Sequence, residues 1–275
     1  DAVIPRNGGC GICTPKETGS CIVAEKLSIP SVIVTAPGFD EEARYTAHNN
    51  GVPVLRVAVY PGAFASHTEE QLVKNTREVT WPQIVRALTT PISKDEYSAT
   101  QTAQGITDDV FHGTLDEIYA YFQKMGWSDG APFCPPTYNK VKEYLDYTDH
   151  AWNETIAVLP AAFRQTTTWH VAVNACMAGC KPEYMPILIA MTKAMAGGNF
   201  RRTLQSTHAW VPYSWLNGPV ARQLGISSGQ GEINAEANVS ISRFMTLALQ
   251  NLAAYYVGQS RMGTFGYLQP WCLVE

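Results

Sequence analysis

What this chain lacks narrows its function first. It has no G-x-G-x-x-G and no G-x-x-x-x-G-K-[ST], so neither of the common glycine-rich phosphate cradles is present. It has no G-x-S-x-G and no H-E-x-x-H, which argues against a serine hydrolase or a zinc protease. Charged residues make up only 16%, the net charge is −4 and no basic block stands out, so nucleic acid is not an expected partner. No apolar run of about 18 residues occurs, so no membrane span is expected. Internal repeats and low-complexity tracts are also missing. The chain opens at Asp1 without Met and without a signal-peptide pattern, and is expected to be a trimmed portion of something longer.

What is present is ample material for a core: 275 residues, 45% of them hydrophobic. Cysteines at 10, 13, 21, 134, 176, 180 and 272 form an odd set in a large chain. They therefore point to a reducing, cytoplasmic setting rather than a disulfide scaffold. From Asp1 to about Thr90 strands alternate with helices: strands at 1–5, 31–36 and 54–60, helices at 18–27, 39–50, 69–76 and 81–90. Near-continuous apolar strands between helices predict a parallel sheet covered on both faces. The fold class expected is α/β: a parallel-sheet, three-layer domain (Rossmann- or flavodoxin-like) over 1–92, a linker over 93–113, then a helix-rich α/β domain over 114–275. Its elements are helices at 114–125, 138–147, 168–179, 183–196 and 235–256, and strands at 155–159 and 210–216.

Ligand sites in such sheets form in the loops after the strands' carboxyl ends. Three loops converge there: 6–17, Pro37-Gly38-Phe39, and Pro61 to His67. The first carries Gly8-Gly9-Cys10-Gly11-Ile12-Cys13-Thr14 ahead of a helix, whose N–H groups and dipole favour a thiolate. With two residues between them, Cys10 can attack a substrate and Cys13 can resolve the mixed disulfide. The same spacing also fits a metal clip for zinc, copper or iron, with Cys21 as third ligand, or two structural thiols. His67 is drawn toward the pair by the third loop.

Other candidates lie in the second half. Cys176 and Cys180 share a helix face near His170 and Asn174, a set that fits a soft metal but equally a close-packed helix with buried thiols. His208, before an apolar run, is a candidate general acid or base or a capped loop residue. Asn217 ends a strand, and Ser227, Ser228 and Gly229 offer donors suited to an anion. The abundant Trp and Tyr, 7 and 13, are more than one core needs and fit a homo-oligomer.

Gly9-Cys10-Gly11-Ile12-Cys13-Thr14 resembles the signature of the UGSC-motif (seleno)proteins, with Cys10 at the selenocysteine position, Gly11 and Cys13 matching and Ile12 in place of Ser. Glu25-Lys26 with Ile29-Pro30 also fits, and Asn174–Pro186, Asn217-Gly218-Pro219 and Leu224–Gly229 look like blocks that accompany the motif in longer members. The resemblance implies a nucleophilic or redox centre at Cys10 and names no substrate. The resulting expectation is a thiol-dependent enzyme acting on a small, anionic or sulfur-containing metabolite. Cys10, Cys13 and His208 would be catalytic; Gly11, Thr14, His67, Asn217, Ser227, Ser228 and Gly229 would bind substrate. A metalloenzyme, a non-redox cysteine lyase, isomerase or transferase, and a non-enzymatic subunit are the alternatives.

Overall fold

The computed structural model describes residues 1–6, 8–9, 13–62, 64–94, 96–97, 105–159, 164–204, 210–256 and 271–274. The chain divides into two compact units. The first is Asp1–Ala103 with Pro160–Arg164 and Gln205–Thr207; the second is Gln104–Leu159, Gln165–Leu204 and His208–Glu275. Both mix helix and strand.

In the first unit β1 (Ile33–Thr35) pairs in parallel with β2 (Val57–Val59), Ile33 opposite Val57 and Thr35 opposite Val59. Alternate residues of β1 face opposite neighbours. Ile33 and Thr35 bond to Arg56 and Tyr60, whereas the amides of Val32 and Ala36 and the carbonyl of Val34 bond to Val3 and Gly8. The amino-terminal segment thus lies along the other edge of β1, joined by parallel bridges Val3–Ser31 and Gly8–Thr35. It is not the five-residue strand expected, because Pro5 has no N–H to continue a ladder. Likewise β1 and β2 are shorter than predicted, between Pro30 and Pro37 and between Pro53 and Pro61.

Ile33 packs with Cys21 and Ile22 of α1 (Cys13–Lys26) and with Ala43 and Ala47 of α2 (Asp40–Asn49). Val32 and Ala58 pack with Ile84 of α4 (Trp81–Thr89). Two separate helices were expected near 69–76 and 81–90. Instead α3 (Glu69–Asn75) runs through a π-helical turn, Thr76–Thr80, directly into α4. Pro82 explains the widening: it offers no N–H to the carbonyl of residue 78, and its ring crowds that carbonyl.

The second unit is built around α7 (Thr168–Ala178), buried nearly all round, which packs against α6 (Tyr138–Leu145), α8 (Met185–Ala196) and α11 (Glu236–Leu247). Gly179, at φ +78°, ends α7 in the left-handed conformation, and the Cys180 amide returns to the Ala175 carbonyl. α5 (Leu115–Lys124) opens on a capping box between Thr114 and Glu117. β3 (Thr155–Leu159) pairs with β4 (Arg164–Thr167). α9 (Gly198–Leu204) follows α8, and α10 (Pro219–Gln223) follows β5 (Tyr213–Leu216), which is parallel to β6 (Trp271–Val274). The long helix expected over 235–256 keeps α-helical bonding only to Leu247 and continues as a π-helical turn, Ala248–Leu252. Among the described residues no helix is long and apolar enough to cross a membrane.

Candidate active site

The carboxyl edge of the first unit's sheet gathers the strongest site. Gly8 is pinned there. Its amide donates to the Val34 carbonyl (2.7 Å), and its carbonyl accepts from Ala36 (3.1 Å). A methyl carbon added to Gly8 would lie 2.7 Å from Thr14 Oγ1 and 2.9 Å from its Cα, so only glycine lets α1 start this close to the sheet. Cys13 is the first residue of α1, five residues earlier than the pattern of apolar residues placed the helix. It is half-buried. Thr14 beside it is fully buried, and its carbonyl accepts from Thr18 Oγ1 (2.7 Å). The first turn of α1 carries no acidic side chain, so no carboxylate of the helix itself offsets the positive end of its dipole. Cys10 and Gly11 lie outside the described residues.

Cys21 sits deeper on α1, fully buried in the core with Ile33 and Leu55, and burial pushes its thiol up to about 11. A hydrogen bond with the Ser31 side chain pulls part of that rise back. Among the described residues no cluster of His, Cys, Asp and Glu could hold a metal ion.

The third loop reaches the first through Phe64 and carries more than the histidine. Tyr60, just past β2, is almost fully buried and stacks on Phe64 (ring centroids 4.5 Å apart). Phe64 in turn reaches the first loop: a methyl on Gly9 would come within 3.0 Å of its ring. The Tyr60 hydroxyl lies 2.7 Å from His67 Nδ1, and Asn75 Nδ2 donates to that hydroxyl at 3.2 Å and lies 3.3 Å from the same Nδ1. The His67 ring lies over Gly62, where an added methyl would fall 2.6 Å from Cε1. Gly62 adopts φ +118°, which also favours glycine. Tyr60, Phe64 and Asn75 went unrecognised in the sequence. Tyr60 reads there as the last apolar residue of a strand, and only the fold brings Asn75, on α3, to the histidine.

The second unit uses its candidates differently. The Ser227 amide donates to Asn238 Oδ1 (3.1 Å), Asn238 Nδ2 donates to the Ser227 and Cys272 carbonyls, and the Gly229 amide donates to Glu232 Oε2 (3.2 Å). The chain's own side chains thus occupy two of the donors expected to receive an anion, while Ser228 is exposed. Asn217 is exposed between β5 and α10. His208 lies outside the described residues.

The helix cysteines do not form a ligand set. Cys176 Sγ faces the Cys134 and Pro135 carbonyls, each at 3.8 Å. Burial drives its thiol far up and takes Cys180 to about 12. His170 caps α7 by accepting from the Thr167 amide (3.1 Å), and Asn174 bridges the His170 carbonyl and Asn251.

The UGSC family model matches residues 1–90, about a third of the chain, and over this segment the chain is similar to that family. The matched segment contains the loops at 6–17, 37–39 and 61–67, α1 and the Tyr60–His67–Asn75 group; the blocks at 174–186, 217–219 and 224–229 lie outside it. No curated protein and no solved structure gives a match.

Proposed function

We propose that this protein is a thiol-dependent oxidoreductase in which Cys10 attacks and Cys13 resolves, acting on a small anionic or sulfur-containing metabolite. The observation that carries this reading is the start of α1 on Cys13, which puts the end of the C-x-x-C motif in a helix's first turn at a strand-carboxyl edge. With helices packed from α1 and α2 on one side of β1 and from α4 on the other, the first unit is read as a small three-layer α/β/α domain.

In the reaction proposed, the Cys10 thiolate attacks one sulfur of a substrate disulfide, the S–S bond breaks, and the departing thiolate takes up a proton. Cys13, as thiolate, then attacks the Cys10 sulfur and expels the second substrate thiol, leaving a Cys10–Cys13 disulfide. The substrate gains two electrons and the protein loses two, which a dithiol reductant restores.

Intact-mass spectrometry during iodoacetamide titration from pH 5 to 9 tests this. Cys10 and Cys13 should alkylate near neutral pH, well before Cys21 and Cys180, whose burial holds them near 11 and 12. The Cys10→Ser and Cys13→Ser variants should each abolish turnover of a small disulfide. Retained turnover in Cys13→Ser would remove Cys13 as the resolving thiol and leave Cys10 as the single nucleophile. Protection of both thiols until a chelator is added would establish a metal clip instead.

A further inference from the structure

We infer that His67 is a fixed hydrogen-bond donor at this site, presenting Nε2–H to an anionic oxygen of the substrate, with Tyr60 and Asn75 as its positioning residues. The inference rests on the reading that this sheet edge is an active site, and deepens it by giving the substrate a carboxylate or similar oxyanion.

The argument starts from Asn75. Its amide nitrogen is a donor only, and it faces both the Tyr60 hydroxyl (3.2 Å) and His67 Nδ1 (3.3 Å). A hydroxyl that accepts from Asn75 has its own proton available, and His67 Nδ1 lies 2.7 Å away to receive it. Nδ1 is therefore the acceptor nitrogen, and the ring proton sits on Nε2. Nε2 has no hydrogen-bond partner among the described residues, and the ring is half-buried over the bare Cα of Gly62.

Two features mark the arrangement as built for the ring. Tyr60 is held by burial and by the stack on Phe64, so its hydroxyl cannot swing away. Asn75 is the last α-helical residue before the π-helical turn, whose Thr80 Oγ1 donates back to the Asn75 carbonyl at 3.4 Å. π-Turns inside helices recur at functional sites because they re-aim one side chain at a cost to regular bonding. A histidine so held supplies a hydrogen bond and does not take a proton from a thiol at Nε2.

The test has two arms on the full chain. Long-range proton–nitrogen NMR of the ¹⁵N-labelled protein, with His67 assigned by its loss in His67→Gln, should show Nε2 protonated and Nδ1 bare. Tyr60→Phe, which keeps the stacked ring, combined with Asn75→Ala should mix the tautomers. A wild-type proton on Nδ1 would overturn the inference. The second arm compares alkylation of Cys10 and Cys13 by anionic iodoacetate and neutral iodoacetamide. His67→Ala should slow iodoacetate by about tenfold, the worth of one hydrogen bond to a charged group, and leave iodoacetamide unchanged. His67→Gln, with an amide donor, should restore most of the rate. Equal slowing of both reagents, or of neither, would overturn the donor role. Should neither thiol react early, the thiol reading falls alone; the NMR arm then decides this one, through movement of the Nε2–H resonance on adding acetate, with no movement counting against it.

Discussion

At the scale of single residues, Glu42 shows how one buried group sets a pH dependence. It lies in the first turn of α2, its Oε1 is buried without a hydrogen-bond partner among the described residues, and Arg164 stacks on the neighbouring Tyr45 ring at 4.0 Å. Burial lifts its carboxyl from 4.5 to about 8, against a downward pull from Arg164. The folded chain therefore keeps a proton that the unfolded chain has lost between these two values. The stabilising contribution is full below the ordinary carboxylate range and is lost as pH rises through about 8. Urea midpoints for the first unit, followed by circular dichroism, should fall from pH 5 to pH 8. Glu42→Gln should flatten that slope.

At the scale of the element, α1 carries two glycines with opposite roles. Gly8, just ahead of it, touches Thr14 backbone and side chain, whereas Gly19, inside it, has nothing within 4 Å of where a methyl would go. Gly8→Ala should push α1 off the sheet and cost about 1–3 kcal/mol, the range for overpacking. Gly19→Ala should add about 0.5–1 kcal/mol, since alanine orders a helix interior at less entropic cost. Chemical denaturation of the two variants checks both signs, and a neutral Gly8→Ala would mean that the helix start is not held by this contact.

The comparable element in the second unit is the loop from Gly126 to Thr137. Arg243 makes paired bonds to Asp129 at 2.9 Å and reaches the Ala131 and Pro132 carbonyls. Gln250 and Asn251, on the π-helical turn after α11, donate to the carbonyls of Gly126, Ser128 and Trp127. The turn thus has a use: it aims two amides at a loop whose prolines leave it few bonds of its own.

At the scale of the whole molecule, each unit has its own core. Cys21, Ile33, Ala43 and Leu55 on one side of β1, and Val32, Ala58 and Ile84 on the other, belong to the first. Val171, Leu188, Ile241 and Phe244 sit in a larger cluster in the second. Two cores predict two thermal transitions rather than one. Gly8→Ala should lower only one of them. Arg243→Ala, which leaves the nearly buried Asp129 carboxylate unpaired, should lower only the other, by about 3–5 kcal/mol of unfolding free energy. A single transition moved by both variants would show that the units unfold as one.

Much of this molecule is legible in its sequence alone. Apolar runs such as Ser31–Ala36 and Val54–Tyr60 marked the parallel strands, because a strand covered on both faces must be apolar almost throughout. Glycines and cysteines at 8–13 marked the loop within the segment that the UGSC family model matches. Element ends were less legible: Cys13 carries no helix-start signal of its own, and the start of α1 is set by Thr14 packing on Gly8. Proximity across the chain was not legible at all. The pairing of Tyr60 and His67 with Asn75, and the engagement of Ser227 and Gly229 by Asn238 and Glu232, depend on where helices land after packing. Local pattern determines which face of an element is apolar. Only the tertiary structure decides which polar groups that burial brings within hydrogen-bonding distance, because partners distant along the chain leave no spacing to read.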